Sequence, residues 1–234
     1  YCFKRRVFFI IELNYLHWNY GSCFFATLSI FLSFFFSCLA FYESAICGST
    51  CCITLMPWMS SELLISYWGL CFDTISTVML LVVCSVSSLV HLYSTEYMSG
   101  DPHQGRFMGY LSLFTFFMLI LVTADNFVLM FLGWEGIGLA SFLLISFWYT
   151  RIQAGKSAIK AMLVNRVGDL GLVLAICAIF LTFKTVDYNV VFALSPCAIG
   201  SSFSFLSFEL DRLSVITFLL FFGAMGKSAQ IGLH

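Results

Sequence analysis

Residues 127–148, FVLMFLGWEGIGLASFLLISFW, form one apolar run holding a single ionisable side chain, Glu135. Counted as helix at about 1.5 Å per residue, the run crosses a hydrocarbon core of about 30 Å and puts Glu135 roughly 14 Å in, near its middle. A carboxylate there costs on the order of 3 kcal/mol on insertion scales. Such a residue constrains the fold: neighbouring helices must supply a partner. The candidate is Lys227, isolated at the end of a second apolar run, 213–226.

Composition agrees with the run. Of 234 residues, 61% are hydrophobic and 10% charged, more apolar surface than a soluble domain of this size can hide. The net charge of −1 argues against a nucleic-acid partner. Most of the ten cysteines, such as Cys23, Cys38, Cys71, Cys84 and Cys177, sit within apolar runs, where Cys acts as a small hydrophobe. Cys47, Cys51 and Cys52 cluster in a loop without a His at zinc-site spacing, and free thiols are expected.

Five spans follow from hydropathy: 21–42, 69–93, 107–124, 127–148 and 161–183. Residues 7–18 are apolar but short and carry Glu12, which fits either a remnant helix or an interfacial segment. The opening has no small-residue cleavage site and is not read as a signal peptide. Residues 43–67 read as a loop, locally extended at ITLMPWM. Asp73 suits a helix N-terminus, and His91 falls where a headgroup-level role is expected. Asp125–Asn126 is a tight turn, 150–160 a basic polar connector and 184–212 a longer mixed loop. The run 213–226 is short, about 21 Å as helix, and Lys227 breaks it.

Lys and Arg test the topology. If the spans alternate, one side holds Lys4, Arg5, Arg6, Arg106, Arg151, Lys156 and Lys160; the other holds Lys184 and Arg212. That asymmetry puts the N-terminal flank on the cytoplasm-like or matrix-like side.

Two soluble-protein motifs are dismissed. Gly226-Lys227-Ser228 ends like a phosphate loop, but position 221 is Phe221 where a glycine is required, and no strand precedes it. Gly133, Gly136 and Gly138 lack dinucleotide-loop spacing; glycines in apolar helices let neighbours approach closely. The charges are more informative. Arg166 and Asp169 lie three apart and can pair on one helix face, which Asn165 shares. Intramembrane ionisable residues more often mark ion or proton routes than mere packing. Burial favours the neutral form of an acid or an amine, and a nearby opposite charge favours the ionised form. Changing the Glu135–Lys227 separation would therefore load and unload a proton without redox chemistry in this chain.

HLYSTEYMSGDPHQGRFMGYLSLFTFFML, FLGWEGIGLASFLLISFWYTR, IKAMLVNRVGDLGL and GAMGKSAQIGLH, in that order, closely resemble the chain 5 family of mitochondrial NADH–ubiquinone oxidoreductase, the antiporter-like, proton-pumping membrane subunits of respiratory complex I. The resemblance runs from about Ser29 to His234 and is weak over 184–212. It implies an all-α polytopic membrane protein of about five to six transmembrane helices plus a discontinuous last helix, the N-terminal part of an antiporter-like inverted-repeat fold. Residues 1–20 would be a divergent segment, 21–106 helices and loops outside the repeat, and 107–234 an incomplete first repeat.

In the family's pattern Glu135 matches the glutamate of the WEG motif, which tunes the pumping lysine, and Lys227 matches that lysine. Arg166 and Asp169 match charges of the NRVGD motif along the same polar path. His234 matches the histidine just past the helix break. The resemblance implies a subunit of H⁺-translocating NADH:ubiquinone reductase in the mitochondrial inner membrane. NADH, FMN, iron–sulfur clusters and ubiquinone are expected in partner subunits and none in this chain. Expected partners are the other complex I membrane-arm subunits, the lipid bilayer and a second polypeptide completing a split subunit. A multisubunit sodium/proton antiporter component and a non-pumping membrane scaffold are the alternatives.

Overall fold

The computed structural model describes residues 2–61, 63–205 and 208–232. Helices α1 (Cys2–Phe41), α2 (Thr74–Tyr97), α3 (Gln104–Thr123), α4 (Phe127–Ile145), α5 (Ile152–Phe183), α6 (Tyr188–Leu194) and α7 (Arg212–Lys227) dominate. A π-helical turn, Tyr42–Ile46, extends α1. Five of the described helices are long and apolar enough to cross a membrane: Gly21–Ile46, α2, α3, α4 and α5. This matches the expected number of spans, but several boundaries differ.

The stretch read as a loop carries β1 (Cys51–Ser60) and β2 (Ile65–Phe72), paired as a two-stranded sheet. The second span therefore starts at Thr74 rather than at 69. The strand runs through Phe72, and Asp73 then caps the helix, its N–H donating to Ser76 Oγ at 2.7 Å. The connector 150–160 is helical: α5 begins at Ile152, so its 32 residues reach about 48 Å. Its polar residues mark the edge of the apolar segment, not the end of the helix. α4 stops at Ile145, and Ser146 N–H bonds to Phe142 O at 3.0 Å, short of the expected 148. Within 184–212 lie α6, a 3₁₀ turn at Ser195–Ala198 and the antiparallel hairpin β3 (Ser202–Phe205)–β4 (Phe208–Asp211).

The chain divides into two compact units. One comprises Tyr1–Thr50 and Phe72–Leu119. Within it α1 packs along α2, joined by a Ser44–Thr77 hydroxyl bond of 2.7 Å. His91 is fully buried there against neighbouring helices. Its Nδ1 lies 2.8 Å from Ser87 O and its Nε2 3.3 Å from Ser112 Oγ on α3. A ring saturated on both nitrogens is held as a helix-packing group.

The other unit comprises Cys51–Cys71 and Ile120–His234. Its apolar core joins Phe127, Ile179, Val191 and Ile216, one each from α4, α5, α6 and α7. Asn126 caps α4: its Oδ1 accepts from Leu129 N–H and its amide donates to Tyr67 O, both at 2.8 Å. The expected turn at Asp125–Asn126 is thus fastened to β2. Close approach of helices depends on glycine. A Cβ on Gly226 would meet Gly168 Cα at 2.9 Å, so α5 and α7 cross backbone to backbone.

Candidate functional site

Three helices of the second unit bring the charges together. α5 packs against both α4 and α7, and Arg166 and Asp169 lie near its middle. Glu135 and Trp134 come from α4; Lys227 is the last residue of α7. Beyond Lys227 the chain turns, Ser228 N–H bonding to Ala224 O at 3.0 Å and Ala229 adopting a φ of 49°. The expected interruption thus falls at Lys227. His234 lies outside the described residues.

The pairing differs from the sequence expectation. Glu135 is held by Arg166, whose Nη1 donates to both carboxylate oxygens at 2.8 and 2.9 Å. Arg166 therefore does not pair with its neighbour Asp169. Asp169 is 7% exposed and accepts instead from the Trp134 indole N–H at 2.8 Å. The Lys227 ammonium donates to the Trp134 backbone carbonyl and lies 4.8 Å from the centre of its ring. Trp134 thereby sets the ammonium beside Asp169. Glu135 and Lys227 thus share one site without direct contact.

Trp134 was not singled out by the sequence reading, yet it touches both Asp169 and Lys227. The signal was present: an indole N–H inside an apolar helix needs an acceptor. Gly138 sits one helical turn beyond Trp134, and a Cβ there would lie 3.7 Å from Lys227 Nζ, an ordinary contact. The packing role expected of these glycines is met at Gly133, whose Cβ would meet the Leu121 backbone at 2.8 Å.

The arrangement balances two carboxylates against two cations. Arginine stays charged at any accessible pH, whereas lysine releases its proton readily in a desolvated site. Arg166 can therefore change only its partner, while Lys227 can change its charge. A second acidic group lies at the Asp125 turn, outside the spans. Burial, and then the Asp125 charge, push the Asp187 carboxyl above its ordinary range; the same two causes raise the Tyr188 phenol.

Comparisons with known proteins agree with this architecture. Residues 58–108 match the family described as NADH-ubiquinone oxidoreductase (complex I), chain 5 N-terminus, and residues 124–234 match NADH:quinone oxidoreductase/Mrp antiporter, TM. The NADH-ubiquinone oxidoreductase chain 5 of Marchantia polymorpha is 57% identical over 213 residues, 89% of this chain and 31% of the relative. That of Acanthamoeba castellanii is 55% identical over 231 residues, 98% of this chain and 32% of the relative. The chain thus spans about a third of the length of the curated relatives it matches. Among solved structures, the Mrp complex from a Dietzia species has a chain similar at a TM-score of 0.71 and 23% identity, covering 94% of this chain and 24% of that one. This likeness concerns the fold.

Proposed function

From the premise that the chain belongs to the NADH-ubiquinone oxidoreductase chain 5 family, we propose that it is a proton-translocating part of the membrane arm of respiratory complex I. The proposed setting is the mitochondrial inner membrane, with other membrane-arm subunits as partners and NADH, FMN, iron–sulfur clusters and ubiquinone held elsewhere. Residues 107–234 would belong to the first antiporter-like repeat.

One observation carries the mechanism: Arg166 holds Glu135 while Lys227 rests on Trp134 beside Asp169. Arg166 and Asp169 are three apart on α5, so a change of Arg166 rotamer moves the guanidinium from one carboxylate to the other. With Arg166 on Glu135, Asp169 is the carboxylate left to act on Lys227. With Arg166 on Asp169, that attraction is neutralised and Glu135 is freed toward Lys227. Each exchange alters how strongly Lys227 holds its proton, because a nearby carboxylate favours the ammonium and burial without one favours the amine. Lys227 is the group that gives and takes the proton; Arg166, always charged, sets its environment. His234 would continue the route past α7.

The test is Lys227→Met in the assembled complex, with protons moved per NADH as the readout. The proposal expects a lower ratio, with complex assembly retained. An unchanged ratio would remove Lys227 from the route.

A further inference from the structure

The hairpin β1–β2 holds a feature that proton movement does not use. Its strands are fastened very unequally. β2 is tied to the body of its unit: Leu70 bridges to Ala124, Tyr67 O accepts from the Asn126 amide, and Gly69 lies so close to Asp125 that a Cβ would meet the carboxylate at 2.7 Å. β1 is exposed along all ten residues. A hairpin with one loose strand is marginal by its own hydrogen bonds. Near the start of β1, beside Asp125, Cys52 Sγ lies 2.8 Å from Cys71 Sγ of β2. Non-bonded sulfurs do not pack that closely, and a disulfide needs about 2.0 Å.

We propose that Cys52 and Cys71 form a disulfide that fastens β1 to the anchored strand β2. Side chains alternate across a strand, so adjacent Cys51 points away from the face that Cys52 shares with Cys71. Cys47 lies before β1 begins. The reaction is exchange with a disulfide-carrying oxidant. Cys52, the exposed thiol, loses its proton and attacks the carrier, forming a mixed disulfide and releasing one carrier thiol. Cys71, the buried thiol, then attacks the Cys52 sulfur, loses its proton and expels the second carrier thiol. Two thiols are oxidised and one carrier disulfide is reduced. The compartment permits it: the Lys/Arg asymmetry puts the hairpin on the side away from the basic loops, and disulfides persist outside reducing compartments. The inference does not depend on the proton-transfer reading. Asp125 offers a carboxylate oxygen within 4.8 Å of both sulfurs, so a soft cation is the competing occupant.

The experiment uses membranes carrying the assembled complex. They are denatured without reductant in N-ethylmaleimide, with and without a chelator, then digested and analysed by mass spectrometry. The expected product joins the Cys52 and Cys71 peptides, lighter by two hydrogens than the separate thiols, and separates on reduction. Maleimide on both cysteines without reduction overturns the proposal. So does a link from Cys71 to Cys47 or Cys51, and so does protection that the chelator alone removes. Limited proteolysis at the tip, 61–64, gives an independent readout. Fragments that stay joined until reductant is added support the bond; fragments that part without it refute it.

Discussion

His91 and Asp169 are both polar side chains buried in membrane-length helices, at 0% and 7% exposure, yet their surroundings are opposite in kind. His91 has an acceptor on one ring nitrogen and a hydroxyl on the other, all from uncharged groups. Among the described residues, no ion pair is recorded beside it. Asp169 belongs to a group of four charged side chains on three helices: Trp134 joins it to Lys227, and Arg166, three residues before it on α5, holds Glu135. Under the proposed mechanism Arg166 exchanges between the two carboxylates. On that reading burial of a polar group does not by itself indicate transport; exchangeable partners do.

The largest effect should come from removing the group that exchanges partners. Arg166→Gln leaves Glu135 without its cation, and the nearest replacement is Lys227. The lysine would then be held by Glu135 in every state. NADH-driven proton pumping is expected to fall about 10- to 100-fold, equivalent to ~1.4–2.7 kcal/mol at the rate-limiting barrier. Arg166→Lys should recover part of the rate, since a single ammonium replaces the charge but not the two-oxygen contact. Normal pumping by Arg166→Gln in assembled complex would place the four charges in the same class as His91.

How far the sequence discloses this contrast follows from what each cue measures. Glu135 and Lys227 were legible because a charge in an apolar run is costly wherever it lies. Their actual partners were not, because spacing along one helix reports only neighbours on that helix. Arg166 and Asp169 sit three apart, yet Glu135, on another helix, takes the guanidinium. His91 shows a related limit. Hydropathy puts it near the end of a span, but its contact with Ser112 on α3 comes from another helix. The basic stretch 150–160 shows the same limit: polarity reports where the apolar segment ends, while the backbone continues as helix. The hairpin 51–72 was legible only as extended residues around ITLMPWM, since its anchoring at Asn126 comes from 59 residues away.

A smaller effect tests the indole. Trp134→Phe keeps an aromatic face under Lys227 and keeps the backbone carbonyl, but Asp169 loses its 2.8 Å donor. A hydrogen bond to a charged group contributes about 1.5–3 kcal/mol. Part of that should be recovered when Arg166 turns to Asp169, so turnover is expected to fall about threefold to tenfold. The ratio of protons to NADH should hold, because the lysine remains able to exchange. A lower ratio with a normal rate would mean that Trp134 gates the route itself.

The smallest effect belongs to the neutral cluster. Ser112→Ala removes the hydroxyl 3.3 Å from His91 Nε2 and leaves that nitrogen buried without its partner. The loss should be about 1 kcal/mol of stability, as for an ordinary buried hydrogen bond. It should appear as a lower melting temperature of the assembled complex, with both turnover and protons per NADH unchanged. The reason is that the groups facing the ring, the Ser87 carbonyl and the Ser112 hydroxyl, are uncharged. Removing the hydroxyl takes away an uncharged partner and frees no charge to move. If Ser112→Ala lowered the proton ratio, His91 would have to carry protons, and the distinction between a fixed neutral cluster and an exchanging charged one would fail at its simpler member.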